Sequence, residues 1–324
     1  MESTTAEAIS EVAKATGTIA RIAQLFSSPK RTIKQADADY YAIERAIELC
    51  EKHPGYNISY KNGKLTFSEC TSEELIVRAK NRALADAIRK ESNCERVLML
   101  AANEVQQSES VSDEPLDEDW QTRFFDIVGD VSSEGMQLVW SKILAGEIKQ
   151  PGKFSLRTIE TIRNVSQSEA EIFQKVLPLI LKSKIASTDC YFVCSETDIL
   201  RKYGLSYDMM LRLSECGLFN ASDLSAEFSV SNQKESGIAY NNDKMIIVWG
   251  INDKATDLSC GIYVLTRAGS ELYSILEHRC NNEYVSDFAR RIYEQNKNNV
   301  QKVTIHDAIS DSKYSEEISQ SFPS

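Results

Sequence analysis

The chain has 324 residues, 42% hydrophobic and 26% charged, enough to bury the cores of two or three globular domains. Its net charge of −11 opposes sequence-independent binding to a phosphate backbone. The excess is uneven, about −1 over residues 1–110, −3 over 111–186 and −7 over 187–324, so the last third is the poorest place for a basic groove.

Eight scattered cysteines and no secretory hydrophobic segment ahead of them predict free thiols in a reducing cytoplasm. No uncharged run approaches the ~18 apolar residues of a membrane span.

Residues 5–26 place Ile9, Val12, Ile19, Ala23 and Phe26 near a 3–4 spacing, which predicts a packing or oligomerisation helix. The cations Lys30, Arg31 and Lys34 behind it leave a membrane-surface helix over 5–34 as an alternative. A second helix is expected over 36–52. Asn62-Gly63 between alternating runs predicts a hairpin inserted at 56–68. Thr71 and Glu74 form a capping box, and no Gly or Pro interrupts the chain from there to about Gln107. That predicts one long helix with Val77, Leu84, Ile88, Leu98, Ala101 and Val105 as a single apolar seam. Covering the seam calls for a homo-oligomer through residues 1–107.

An acidic linker occupies 108–118, and a central module of four helices is expected over 119–184, at about 119–129, 133–148, 155–164 and 167–182. Its core is read as Trp120, Phe124, Phe125, Trp140, Ile143, Leu144, Phe154, Leu156 and Phe173. From 185 to 298 the order strand, two short helices, then several strands predicts a winged-helix-like domain. Residues 299–324, rich in Ser, Asp and Glu, are expected to form a mobile tail. The fold class is therefore mainly α with an α+β C-terminal part.

No H-E-x-x-H, G-x-S-x-G, G-x-G-x-x-G or P-loop pattern occurs, and the histidines at 53, 278 and 306 are dispersed. No catalytic residue, metal or cofactor is expected. Cys50, His53, Cys70 and Cys94 compose a zinc set, weighed against ordinary thiols. Arg157 stands in the first turn of a helix, where a cation is disfavoured unless compensated. A structural bridge to Glu147 or Glu160 competes there with binding of an anion or a partner. Ser155, Thr158, Arg201, Lys202 and Arg212 complete the candidate contact set. The helix Tyr207–Glu215 offers Arg212 against Asp208 and Glu215, which is no strong nucleic-acid signal.

The central motifs resemble those of a bacterial family of uncharacterised proteins, a domain of unknown function. Its pattern is similar to W-x-x-x-F-F followed by L-W-A-x-I-L-A-G-E and P-G-x-F-S-x-R-T. Here these are Trp120, Phe124 and Phe125, then Val139 to Glu147, then Pro151 to Thr158, with Val139 and Ser141 departing from it. Leu265 to Leu272 resembles the family's ending. More distantly the layout is similar to Abi-alpha type phage abortive-infection proteins. That likeness implies a role in antiphage defence, with a protein partner or phage trigger, and transfers no catalytic residue. The expectation is a cytoplasmic, non-enzymatic sensor or adaptor. Alternatives are a DNA-binding transcriptional-type regulator and a membrane-perturbing effector acting through 5–34.

Overall fold

The computed structural model describes residues 55–323, apart from 62–63, 108–110, 186–187, 221–223, 231–235, 242, 254–255 and 311–312. The helices expected over 5–26 and 36–52, with the membrane-surface segment 5–34, lie outside the described residues. The chain separates into two compact units, Met1–Lys153 and Phe154–Ser324. Helices and one large antiparallel sheet make the fold mixed α+β.

In the first unit, β1 (Gly55–Lys61) and β2 (Lys64–Cys70) pair antiparallel from Gly55↔Cys70 to Lys61↔Lys64, so two residues connect them. Helix α1 (Ser72–Gln106) starts on the expected box: Glu74 N donates to Thr71 Oγ1 at 3.2 Å, and Thr71 N donates to Glu74 Oε2 at 3.1 Å. Helices α2 (Glu118–Val128) and α3 (Glu134–Lys149) follow. Trp120 stacks on Phe124 at 4.9 Å, and Phe124 meets Trp140 edge-on at 5.6 Å, with all three buried. Phe125, Ile143 and Leu144 join them in the core. Buried Asn93 donates from Nδ2 to the Gly129 carbonyl at 2.8 Å and accepts from Gln137 Nε2 at 3.2 Å, so the α2–α3 turn is tied to α1.

The single seam expected along α1 is corrected to two faces. Val97, Leu98, Ala101 and Val105 are buried in the unit's own core, whereas Val77, Leu84 and Ile88 are about 60% exposed. At 3.6 residues per turn the two groups point roughly 100° apart, so they never formed one stripe.

The second unit opens with α4 (Leu156–Arg163) and α5 (Gln167–Val176). The fourth helix of the central module was expected to reach 182. It stops at Val176 because Pro178 lacks the amide that a continuing helix needs; a 3-10 turn at Leu177–Leu179 follows. The chain then enters β3 (Leu181–Ile185), which the sequence reading missed, and β4 (Thr188–Cys194). The last two helices of the expected four belong to this unit, and the first two to the other. Leu156 is another correction. It is 44% exposed, because it lies roughly 100° around α4 from the buried face of Thr158, Ile159 and Ile162. Phe154 and Phe173 are buried as expected.

Helices α6 (Thr197–Lys202) and α7 (Tyr207–Glu215) lead to β5 (Leu224–Val230), β6 (Ser236–Tyr240), β7 (Lys244–Gly250) and β8 (Thr256–Val264). Helices α8 (Arg267–Tyr273) and α9 (Asn282–Gln295) precede β9 (Val300–Ser310) and β10 (Lys313–Phe322). The eight strands of this sheet run in the order β10-β9-β7-β6-β3-β4-β8-β5. Helix α9 lays Tyr284, Val285, Phe288, Ala289 and Ile292 into the core; Phe288 meets Phe192 of β4 at 5.9 Å.

The expected mobile tail is overturned. β9 pairs with β7 from Lys244↔Asp307 to Gly250↔Val300, and β10 pairs with β9. Val300, Val303 and Ile305 are buried there. Five apolar residues scattered among polar ones were too weak a local signal, and the strand exists because β7 supplies its partner.

Candidate functional site

Ser155 caps α4: Thr158 N donates to Ser155 Oγ at 3.2 Å. Thr158 is fully buried, and its hydroxyl donates to Glu271 Oε2 of α8 at 2.6 Å. The Ser155 amide donates to the same oxygen at 3.1 Å, and Arg267 Nε donates to Glu271 Oε1 at 2.6 Å. One carboxylate thus gathers three donors and bolts α4 to α8. In the sequence Glu271 is one residue of the Leu265–Leu272 stretch and carries no separate expectation. Its position four residues after Arg267, one helical turn, was the signal available for it. Thr158 therefore presents nothing to a partner, and Ser155 serves as a cap.

The second anchor of α8 is Thr266, whose hydroxyl donates to the Gly217 carbonyl at 2.6 Å and whose amide donates to the Leu218 carbonyl at 3.0 Å. A Cβ at Gly269 would sit 2.1 Å from that Leu218 oxygen, so only glycine lets α8 approach so closely. Gly217 itself takes φ +82° to end α7, beside Thr161 of α4.

This clamping leaves an open groove of about 510 Å³ lined by Arg157, Glu160, Thr161, Asn164, Glu169, Glu215 and Cys216. Arg157 is exposed and has no ion pair with another described residue. The expected bridge to Glu160 does not form. Glu160 lies 3.9 Å from Arg163, and Glu147, buried in the first unit, accepts from the Gly152 amide at 2.6 Å. Glu169 accepts from the Ser166 hydroxyl and amide, both at 2.7 Å; these bonds hold its carboxyl below the usual range, with Arg212 adding to the effect. Burial pushes the Cys216 thiol up, which disfavours the reactive thiolate. The groove thus offers three carboxylates and one cation, the chemistry of a surface for basic groups.

The other candidate cations are not brought together with Arg157. Arg212 donates to Ser168 Oγ at 2.7 Å. Lys202 is held by Asp287 at 2.6 Å and Glu283 at 2.8 Å, which raise its pKa; Arg201 is exposed with no ion pair among the described residues. Tyr203 also donates to Asp287 at 2.6 Å. Burial alone would raise the Asp287 pKa, but the bonds from Lys202 and Tyr203 outweigh it and the net shift is downward.

Of the zinc candidates, Cys50 and His53 lie outside the described residues. Cys70 is buried 3.6 Å from an Arg78 nitrogen, and the buried Cys94 thiol faces the Phe125 carbonyl at 3.8 Å. Among the described residues no three His, Cys, Asp or Glu side chains gather as a metal site would, and no helix is long and apolar enough to cross a membrane.

No curated protein and no solved structure matches the chain. A family model described as "Protein of unknown function (DUF2806)" matches residues 77–289. That stretch contains the Thr158–Glu271 joint and the groove it shapes, and it covers about two thirds of the chain, which therefore belongs to the DUF2806 family of unknown function.

Proposed function

We propose that this protein is a non-enzymatic sensor or adaptor in bacterial antiphage defence, a homo-oligomer that docks a partner protein through α7 and the acidic groove at its end. The observation that carries the docking is on α7 itself. Tyr207 and Leu211, 60% and 41% exposed, stand one turn apart, and Glu215 continues the same stripe into the groove. Exposed apolar side chains leading into carboxylates suit an amphipathic, basic protein segment. They suit a phosphate backbone poorly, since groove readers bring several cations to phosphates.

Two further features support the reading. β4, β8 and β5 lie side by side in that order, with α6 and α7 inserted between β4 and β5, which is consistent with a winged-helix-like arrangement enlarged by β6 and β7. The likeness to abortive-infection proteins supports the defence role.

The test is affinity capture with the full chain from phage-infected and uninfected cells, beside the Tyr207→Ala/Leu211→Ala variant, together with phage plating on cells carrying each. The expected result is a partner retained by the parent and lost by the variant, with plaque suppression lost in parallel. A salt-dependent mobility shift on duplex DNA, undiminished in the variant, would overturn the reading in favour of a transcriptional-type regulator.

A further inference from the structure

We propose that residues 77–88 of α1 form one strand of a parallel two-stranded coiled coil with a second copy of this chain. The inference deepens the oligomer part of the reading above and does not depend on the docking face of α7.

Val77, Leu84 and Ile88 are 57%, 62% and 61% exposed, although each is large and apolar. With the exposed Asn81 they follow a 4-3-4 spacing, the alternation of d and a positions in a heptad. The residue types at those positions specify the partner. Leucine at d (Leu84) with a β-branched residue at a (Ile88) favours two strands, and a lone asparagine at a (Asn81) fixes register and pairs with its own copy in a parallel dimer. In the same register Glu73 takes a g position and Arg78 the following e position, so a parallel dimer sets Glu73 of each copy against Arg78 of the other. An antiparallel pair would place Asn81 against Leu84 and leave Glu73 without that cation.

The rest of α1 leaves this face clear. Asp86 with Arg89 and Lys90, which reach Asp130, lies on the opposite side of the helix. The next seam positions are Glu91 and Glu95, both exposed, so two copies would separate there. From Asn93 onward α1 commits its other face to its own core. The seam is about 18 Å long at 1.5 Å per residue.

The experiment uses the full chain. Light scattering at micromolar concentration should give twice the 36.4 kDa chain mass. Leu84→Glu should return a monomer with an unchanged circular dichroism spectrum, because Leu84 is 62% exposed and is not among the buried core residues described. Under mild oxidation Leu84→Cys and Ile88→Cys should each give a disulfide-linked dimer that the parent, with its native cysteines, does not. Asn81→Leu should tighten association at least tenfold and admit higher oligomers. A monomeric parent would overturn both this proposal and the oligomer reading, and would leave residues 1–54 of the same chain as the cover for the seam. An oligomer indifferent to Leu84→Glu, or one in which neither cysteine variant cross-links, would overturn the parallel seam and leave oligomerisation standing.

Discussion

Thr158 Oγ1 donates to Glu271 Oε2 at 2.6 Å, joining residues 113 positions apart. Two separately quoted motifs thereby meet at one bond, with Thr158 fully buried and the Glu271 side chain 13% exposed. A hydrogen bond to a charged, largely buried acceptor is among the stronger kinds.

Thr158→Val keeps the side-chain shape and removes the donor, so it should destabilise the protein by about 1–3 kcal/mol in urea unfolding. Combined with Glu271→Gln, it should show a coupling of about 0.5–3 kcal/mol. Arg157→Ala, on the exposed face of the same helix, should stay within about 0.5 kcal/mol of the parent. Strict additivity of the first two changes would show that the bond contributes nothing in solution.

Gly269→Ala should be costly for a one-carbon change. The new methyl would stand 2.1 Å from the Leu218 carbonyl oxygen, which is backbone and bonded to the Thr266 amide. Overpacking of this kind costs about 1–3 kcal/mol. The same change at Gly135, whose Cβ would meet nothing within 4 Å in the first turn of α3, should instead be neutral or stabilising. Equal melting temperatures for the two variants would contradict the close approach.

Trp140 is fully buried against Phe124, and its Nε1 has no acceptor among the described residues. Trp140→Ala should cost about 3–5 kcal/mol. Trp140→Phe should cost distinctly less, because it removes an unsatisfied buried donor along with part of the ring. Denaturant melts of the two variants decide it, and a phenylalanine variant as damaged as the alanine one would refute the second half.

Asp287 carries a pH signature. Its native pKa is depressed, so its stabilising contribution is present above the unfolded value of about 3.9 and is lost as pH falls through the native pKa. Asp287→Asn should therefore be less stable than the parent near neutrality. The gap should narrow as pH falls below about 4, where the unfolded parent's carboxyl takes up its proton, and close once pH passes the lower native pKa. Melting curves across that range are the measurement, and a constant gap would refute the linkage.

Local chemistry carried much of the architecture. The Thr71–Glu74 box begins α1 where the sequence says, and Ser166 with Glu169 begins α5 in the same way, since a side chain and an amide three residues apart satisfy each other without outside help. The hairpin expected at 56–68 pairs as β1 and β2, and the aromatic spacing of α2 and α3 is enough to identify Trp120, Phe124 and Trp140 as core. Arg157 was legible as a candidate because a cation in a first helical turn conflicts with the helix dipole.

What the tertiary structure decided is whatever depends on a distant partner. β3 looked like the end of a helix until β4 took its hydrogen bonds, and β9 looked like tail until β7 and β10 flanked it. The seam of α1 divided because only the packed helix shows which side meets α3, leaving Val77, Leu84 and Ile88 on the other. Glu271 gained its role when the chain brought α8 to Ser155 and Thr158. Strand pairing and cross-helix bonds join groups tens of residues apart, and no window of sequence contains both partners; the caps and turns that were legible satisfy their hydrogen bonds within four residues.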